Sequence, residues 1–216
     1  EALREDARNF NIIAAPGYPE LIDNMVSLNN DRRNTAFVIG DTSMRLAATS
    51  TAIQNWASNS AADTGNSEDA LVTADEYLGI FYPPGQTNDL SGNTIVVPAS
   101  HMILRTIARS DDQSFPWFAP AGTRRGLVDN ANAIGFINSA TGEFQVDNVR
   151  ESLRDTLYSN RVNPITFFNG VGLMNYGQKT RAATTSSLDR INVARLANYL
   201  RSQLQATALG FVFEPN

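Results

Sequence analysis

The sequence has no cysteine, and its single histidine is His101. Disulfide frameworks, thiolate nucleophiles and cysteine-built zinc sites are therefore excluded, as are zinc sites that need two or three imidazoles. No Asp/Asn ladder closing on a Glu with a turn glycine offers a calcium loop instead. Charge is sparse as well: 18% of the 216 residues are Asp, Glu, Lys or Arg. The 17 basic residues are scattered singly or in pairs such as Arg32–Arg33 and Arg124–Arg125, and the net charge is −5. Nucleic acid is not an expected partner, because such binders gather cations into a patch to neutralise phosphates. No apolar run approaches the ~20 residues of a membrane helix, and the first residues show no signal-peptide pattern. Neither membrane insertion nor a cofactor or metal is expected.

What is present is a globular composition. Hydrophobic residues make up 42% of the chain, and the length suits one large domain or two small ones at about 150 residues each. Chains of this size bury roughly 70% of their unfolded surface, so a core forms without covalent staples. Short apolar runs bounded by turn residues predict strands at Asn11–Ala15, Thr35–Ile39, Tyr77–Tyr82, Thr94–Val97, Ile165–Phe168 and Leu173–Tyr176. Helical spacing predicts helices at Pro19–Leu28, Thr51–Trp56, from Pro98 through Ala108, at Glu151–Arg161 and at Leu188–Thr207. The Pro98 helix is expected to bury Ile103, Leu104, Ile107 and Ala108. The last helix is expected to bury Val193, Leu196, Leu200 and Leu204, with Arg190 and Arg201 opposite. Glu1–Arg8 reads as the end of a helix, Asn59–Glu68 as a surface loop, Asn163-Pro164 as a break, and Phe211–Phe213 as strand-like. Alternating strands and helices give an α/β fold. Hairpins expected after Tyr82 and Phe168 make its β-sheet mixed, with flanking helices.

The residues with catalytic potential do not assemble into a site. Between Gly172 and Thr180, Gln178 separates Gly177 from Lys179, whereas the lysine of a phosphate-binding loop directly follows its glycine. The polar stretch Arg181–Ser187 then stands where a helix should begin. Gly170-Val171-Gly172 opens a dinucleotide fingerprint whose third glycine is replaced by Asn175. Ser100 adjoins His101, but neighbours on a helix do not face each other, and no G-x-S-x-G elbow occurs. Ser100 reads as a first-turn or capping residue and His101 as a surface one. Asp111-Asp112, expected just past a helix end, and Glu68-Asp69 lack an apolar setting that would tune a general acid. Phe115-Pro116-Trp117-Phe118, with no basic groove beside it, is expected in a core or a subunit interface. The chain is not expected to be an enzyme; a small α/β enzyme acting through Asp111 or His101 is the alternative from another class.

Four ordered segments remain. Pro98-Ala99-Ser100 starts a helix, Arg109-Ser110-Asp111 follows, and then Trp117-Phe118-Ala119-Pro120-Ala121-Gly122. Next come Leu157-Tyr158, Val162-Asn163-Pro164-Ile165, Phe168, Gly170, Gly172 and Tyr176-Gly177-Gln178-Lys179-Thr180. Asp189-Arg190-Ile191-Asn192-Val193-Ala194-Arg195-Leu196 is the third, and Phe213-Glu214-Pro215-Asn216 the fourth. In this order and spacing, over a little more than half the chain, they resemble the contractile tail sheath proteins of bacteriophages, in the T-even-like branch of the myoviruses. Asn9–Gly17 and Thr35–Asp41 fit more loosely. That branch carries G-Q-K-T where the phosphate-loop reading fails.

The resemblance implies a structural, mechanical role in the virion. Subunits would stack as six-fold rings in a helical array around the tail tube, between baseplate and tail terminator. They would assemble in the host cytoplasm and contract to drive the tube through the host envelope. It further implies that residues 1–216 form one core sheath domain, with any subdivision near 125–150. The N-terminal insertion domains and C-terminal arm of longer family members would be absent, and this piece alone would be monomeric. Within the same class, the sheath of a type VI secretion system or a tailocin is the alternative.

Overall fold

The computed structural model describes residues 2–4, 8–58, 71 and 73–211. From the N-terminus, β1 (Ile12–Ala14) ends at Pro16-Gly17, and Pro19 opens a short 3-10 turn leading into α1 (Ile22–Asp31). Then follow β2 (Phe37–Asp41), α2 (Ser50–Ala57), β3 (Leu78–Tyr82), β4 (Gly85–Asn88), β5 (Thr94–Val97) and α3 (Ala99–Gln113). The second half contains α4 (Gly122–Arg125), β6 (Ala133–Ile137), β7 (Phe144–Val146), α5 (Glu151–Ser159), β8 (Val162–Phe168), β9 (Gly172–Asn175) and α6 (Ile191–Leu209).

The main sheet is mixed, as expected. β1, β2, β3 and β8 lie side by side and parallel, and β9 closes the sheet antiparallel to β8. Every residue of β2 and β3 is buried, which explains their unbroken apolar reading: a central parallel strand is covered on both faces. Helices supply that cover at close range. A Cβ on Gly40 would come within 3.2 Å of Ile22 of α1, and one on Gly79 within 3.4 Å of Ile191 of α6. Because Gly40 pairs with Ile80, the residue after Gly79, these two contacts are on opposite faces, so α1 and α6 sandwich the sheet.

Several expectations need correction. No hairpin joins β3 to its successor. The chain leaves β3 for a separate antiparallel sheet of order β5-β4-β6-β7, in which a hairpin joins β4 to β5, while the hairpin expected after Phe168 is present as β8–β9. β6 and β7 were not anticipated at all. The second sheet is tied to the first through the loop after β2, where Met44 accepts from the Ile137 amide and Leu46 from the Tyr82 hydroxyl. Asn163-Pro164 is no break but the interior of β8. Pro164 is tolerated there because it stands opposite Tyr82, the last residue of β3, where little ladder remains to satisfy. β2 begins two residues later than expected, and residues 2–4 form a turn, not a helix end. The rest of that N-terminal expectation, the 59–68 loop and most of 211–213 fall outside the described residues.

Two helices are rotated relative to prediction. α3 buries Met102, Ile103, Thr106, Ile107 and Ser110, whereas Ala108 is exposed and Leu104 half-buried. α6 turns Ile191, Ala194, Arg195 and Asn198 inward, leaving Leu200 49% and Leu204 67% exposed. Val193 and Leu196 are half-buried, so the predicted stripe faces out only at Leu200 and Leu204, where the inward positions belong to polar residues with partners beneath the helix.

Candidate functional site

Asn163 is wholly buried and anchors a polar cluster. Its Nδ2 donates to the carbonyls of Ile80 (3.0 Å) and Lys179 (2.8 Å), and its Oδ1 accepts from the Lys179 amide at 2.7 Å. One side chain thereby stitches β8 to β3 and holds the strand-like 176–180 segment against both. Only an amide offers a donor and an acceptor in this arrangement. Gly177 is required alongside it, since a Cβ there would lie 2.8 Å from Asn163 Oδ1 and 2.9 Å from Pro164 Cδ. Asn175 repeats the device one strand over, donating from Nδ2 to the Pro120 carbonyl at 2.7 Å and accepting from the Gly177 amide at 3.2 Å.

A second seam joins α3 to α6. Arg195, 3% exposed, makes a two-pronged pair with Asp111 at 2.9 and 2.5 Å. Asp111 and Asp112 therefore lie within the last turn of α3, not past its end. A carboxylate is unfavourable at a helix C-terminus, and the guanidinium offsets it. One turn on, Asn198 Nδ2 donates to the carbonyls of Asn34 (3.0 Å) and Ala36, while Asn29 Oδ1 accepts from the Ala36 amide. These contacts hold α6 and α1 to the chain entering β2.

The other motif residues have local tasks. Pro98 precedes α3 and offers no capping side chain; Asp41 takes that role from the end of β2, accepting from the Ser100 amide (2.6 Å), the Ser100 hydroxyl (2.7 Å) and the Gly17 amide (3.0 Å). Burial pushes the Asp41 carboxyl up from its ordinary value, against the pull of these donors. Arg109 donates to the Leu127 carbonyl and pairs with Asp129 at 3.1 Å. Arg105 bonds the same carboxylate at 2.7 Å and is the main reason its pKa is lowered. Gly122 and Gly172 occupy left-handed backbone at the starts of α4 and β9. Asp189 accepts from the Thr180 amide through its carbonyl and pairs with Arg190 at 3.2 Å. Phe213, Glu214, Pro215 and Asn216 lie outside the described residues.

None of this converges on a cavity with acid–base chemistry. The cleft of about 280 Å³ beside α6 is lined by Phe10, Pro116, Arg195, Asn198 and Tyr199, and its one cation is held by Asp111. His101 is exposed and Ser100 is engaged with Asp41. Among the described residues no three His, Cys, Asp or Glu side chains are grouped to hold a metal, and no helix is long and apolar enough to cross a membrane.

The surface carries the stronger signal. Phe115 stacks on Trp117 (4.8 Å, 2° between planes), Phe118 lies beyond it and Trp117 meets Tyr199 at 5.0 Å. Arg125 covers Phe118 at 4.3 Å. This ladder is not core: Phe115 is 56% exposed, and Tyr199 leads onto the outward Leu200 and Leu204. Sequence reasoning missed Asp41, Asn175 and Asn198. The first was signalled by an acid at the end of an apolar strand; nothing marked the other two.

No known protein-family model matches the sequence. Individual relatives do. The tail sheath protein of Vibrio phage KVP40 is 37% identical over 120 residues, which cover 56% of this chain and 16% of that protein. The chain is similar to phage tail sheath proteins. The tail sheath protein of Enterobacteria phage T4 is 34% identical over 120 residues, again 56% of this chain and 16% of the relative. The match thus spans under a fifth of these sheath proteins' length. Solved structures cover far more of the fold. The helical sheath of the anti-feeding prophage in its contracted state superposes with a TM-score of 0.68 at 18% identity, over 96% of this chain and 49% of its own. The contracted PVC sheath complex of an extracellular contractile injection system gives 0.68 at 19% identity, over 97% and 50%. The chain has the mixed α/β fold of a contractile sheath subunit.

Proposed function

We propose that this chain is the core of a subunit of a phage contractile tail sheath, a mechanical component and not an enzyme. The observation that carries the reading is the agreement of two likenesses. Sequence relatives at 34–37% identity are phage tail sheath proteins, and the same chain superposes over nearly its whole length on contracted sheaths. The phage relatives favour a virion tail over a secretion machine. Subunits would ring the tail tube, stacked between baseplate and terminator and assembled in the host cytoplasm. Contraction would draw its energy from two alternative packings of the same interfaces, with no nucleotide required.

The geometry suits that work. A sheath domain must move as a rigid body while its contacts change, and the buried Asn163, Asn175 and Asn198 brackets lock strands, loops and helices together. The exposed aromatic ladder and the α6 stripe supply surface for changing partners. Residues 1–216 would act as one core domain, monomeric by itself. Co-sedimentation of the complete gene product with purified tail tubes tests the proposal. Tube-bound protein at a saturating, periodic stoichiometry supports it; protein that stays in the supernatant at every tube concentration overturns it.

A further inference from the structure

The tip of the β8–β9 hairpin carries the only Asn-Gly pair in the chain, Asn169-Gly170. The two strands stay paired up to Phe168 and Gly172, so Asn169, Gly170 and Val171 alone turn the chain. The Val171 amide donates to the Phe168 carbonyl at 3.1 Å and closes a tight turn, with Gly170 at its third position in left-handed backbone (φ 79°). Glycine belongs there because a side chain would be strained.

The asparagine ahead of it stands in solvent. Asn169 and Gly170 are exposed, and the flanking Phe167 and Val171 are themselves 42% and 43% exposed, so no neighbour encloses the tip. Among the described residues the Gly170 amide has no hydrogen-bond acceptor, since the turn is closed by the amide that follows it. A Cβ on Gly170 would meet nothing within 4 Å, so the space around that nitrogen is open. Other asparagines lack this combination. Asn138, followed by Ser139, is held at both ends of its amide: Oδ1 accepts from the Ala140 amide at 2.9 Å and Nδ2 donates to Gln145 Oε1 at 3.4 Å. Asn93 donates to Asp89 at 3.0 Å and precedes a β-branched residue, Thr94. Asn163 is buried, and Pro164 after it has no amide N–H to react.

We infer that Asn169 is a site of spontaneous deamidation in the folded protein, with water as the only co-reactant. The Gly170 nitrogen gives its proton to solvent base and attacks Asn169 Cγ. A C–N bond forms, the Cγ–Nδ2 bond breaks, and the leaving nitrogen takes up a proton as ammonia. Water then opens the five-membered imide. Attack at Cγ leaves an aspartyl residue; attack at the main-chain carbonyl leaves an isoaspartyl residue, whose backbone runs through the former side chain. In sum, one amide and one water become one carboxylate and one ammonium. Either product places a negative charge on a tip that has none, between the exposed Phe167 and Val171, and the isoaspartyl form also lengthens the loop by one methylene.

The test holds the complete gene product, folded, at pH 6 and pH 9 in water enriched in oxygen-18, followed by acid quench, peptic digestion and mass spectrometry. The peptide carrying Asn169 is expected to gain a labelled carboxylate at pH 9 at least about tenfold faster than the peptide carrying Asn138, a barrier difference of about 1.4 kcal/mol. The reaction should slow at pH 6, where less of the attacking nitrogen is deprotonated, and electron-transfer fragmentation should show both isomers. In parallel, ion exchange of the intact folded protein should separate an acidic form that grows with time and is absent from N169Q, an exposed substitution that keeps the turn glycine. An Asn169 peptide that stays unlabelled, or gains label no faster than Asn138, would overturn the inference. So would an acidic form that accumulates equally in N169Q. The chemistry needs no polymer, so either result leaves the sheath reading where it stands.

Discussion

Replacing Asn163 with alanine tests whether the core is held by that side chain or merely contains it. The substitution removes three hydrogen bonds, at 2.7, 2.8 and 3.0 Å, from a site with no solvent exposure. At a net of about 1 kcal/mol each, with an extra cost of about 1–3 kcal/mol for stranding the Lys179 amide, the loss is about 4–6 kcal/mol. For a chain of this size that lowers Tm by about 8–24 °C. Aspartate is the sharper probe because it keeps the shape. It preserves the acceptor for the Lys179 amide but sets an oxygen against the Ile80 and Lys179 carbonyls. N163D should lose at least as much stability as N163A at pH 8. Burial raises the pKa of the new carboxyl, so N163D should recover part of the loss as the pH falls through that raised value. Thermal unfolding followed by circular dichroism at pH 5 and pH 8 reads all of this. An N163D protein more stable than N163A at pH 8 would refute the argument that donor geometry selects asparagine.

R195A and D111A should each cost about 3 kcal/mol, the low end for a broken buried pair, because Asp111 keeps 21% of its side chain in solvent. In a double-mutant cycle by urea denaturation the double variant should be milder than the sum by at least about 1 kcal/mol; strict additivity would contradict the pairing. Asp41 gives a pH signature. Its folded-state pKa lies above the ordinary 3.8, so its contribution is full below 3.8 and is lost as the pH rises through the raised value. The stability advantage of the native protein over D41N should therefore shrink from pH 4 to pH 8, and a widening gap would contradict it.

The parts of the fold that were legible in the sequence are those where apolar pattern and burial coincide. β2 and β3 are fully buried and read as unbroken apolar runs. α5 buries Leu153 and Leu157, as its spacing predicts. α6 defeated the same reasoning because Arg195 and Asn198 face inward to meet Asp111 and the carbonyls before β2, partners more than 80 residues away. Periodicity cannot see such partners, so Leu200 and Leu204 were assigned to the wrong side. β6 had a readable signal in Ala133–Ile137, an apolar run followed by a glycine turn. The split into two sheets did not, because it is decided by how the chain leaves Tyr82. Of the motif residues, Asn163 and Gly177 turn out to be in contact, as do Asp111 and Arg195, and neither contact was predicted from spacing.

The most direct measurement is electron microscopy of the complete gene product, expressed alone, concentrated and negatively stained. The account predicts hollow tubes with six-fold symmetry and a helical repeat. A monodisperse particle that does not polymerise even when tail tube is added would contradict it.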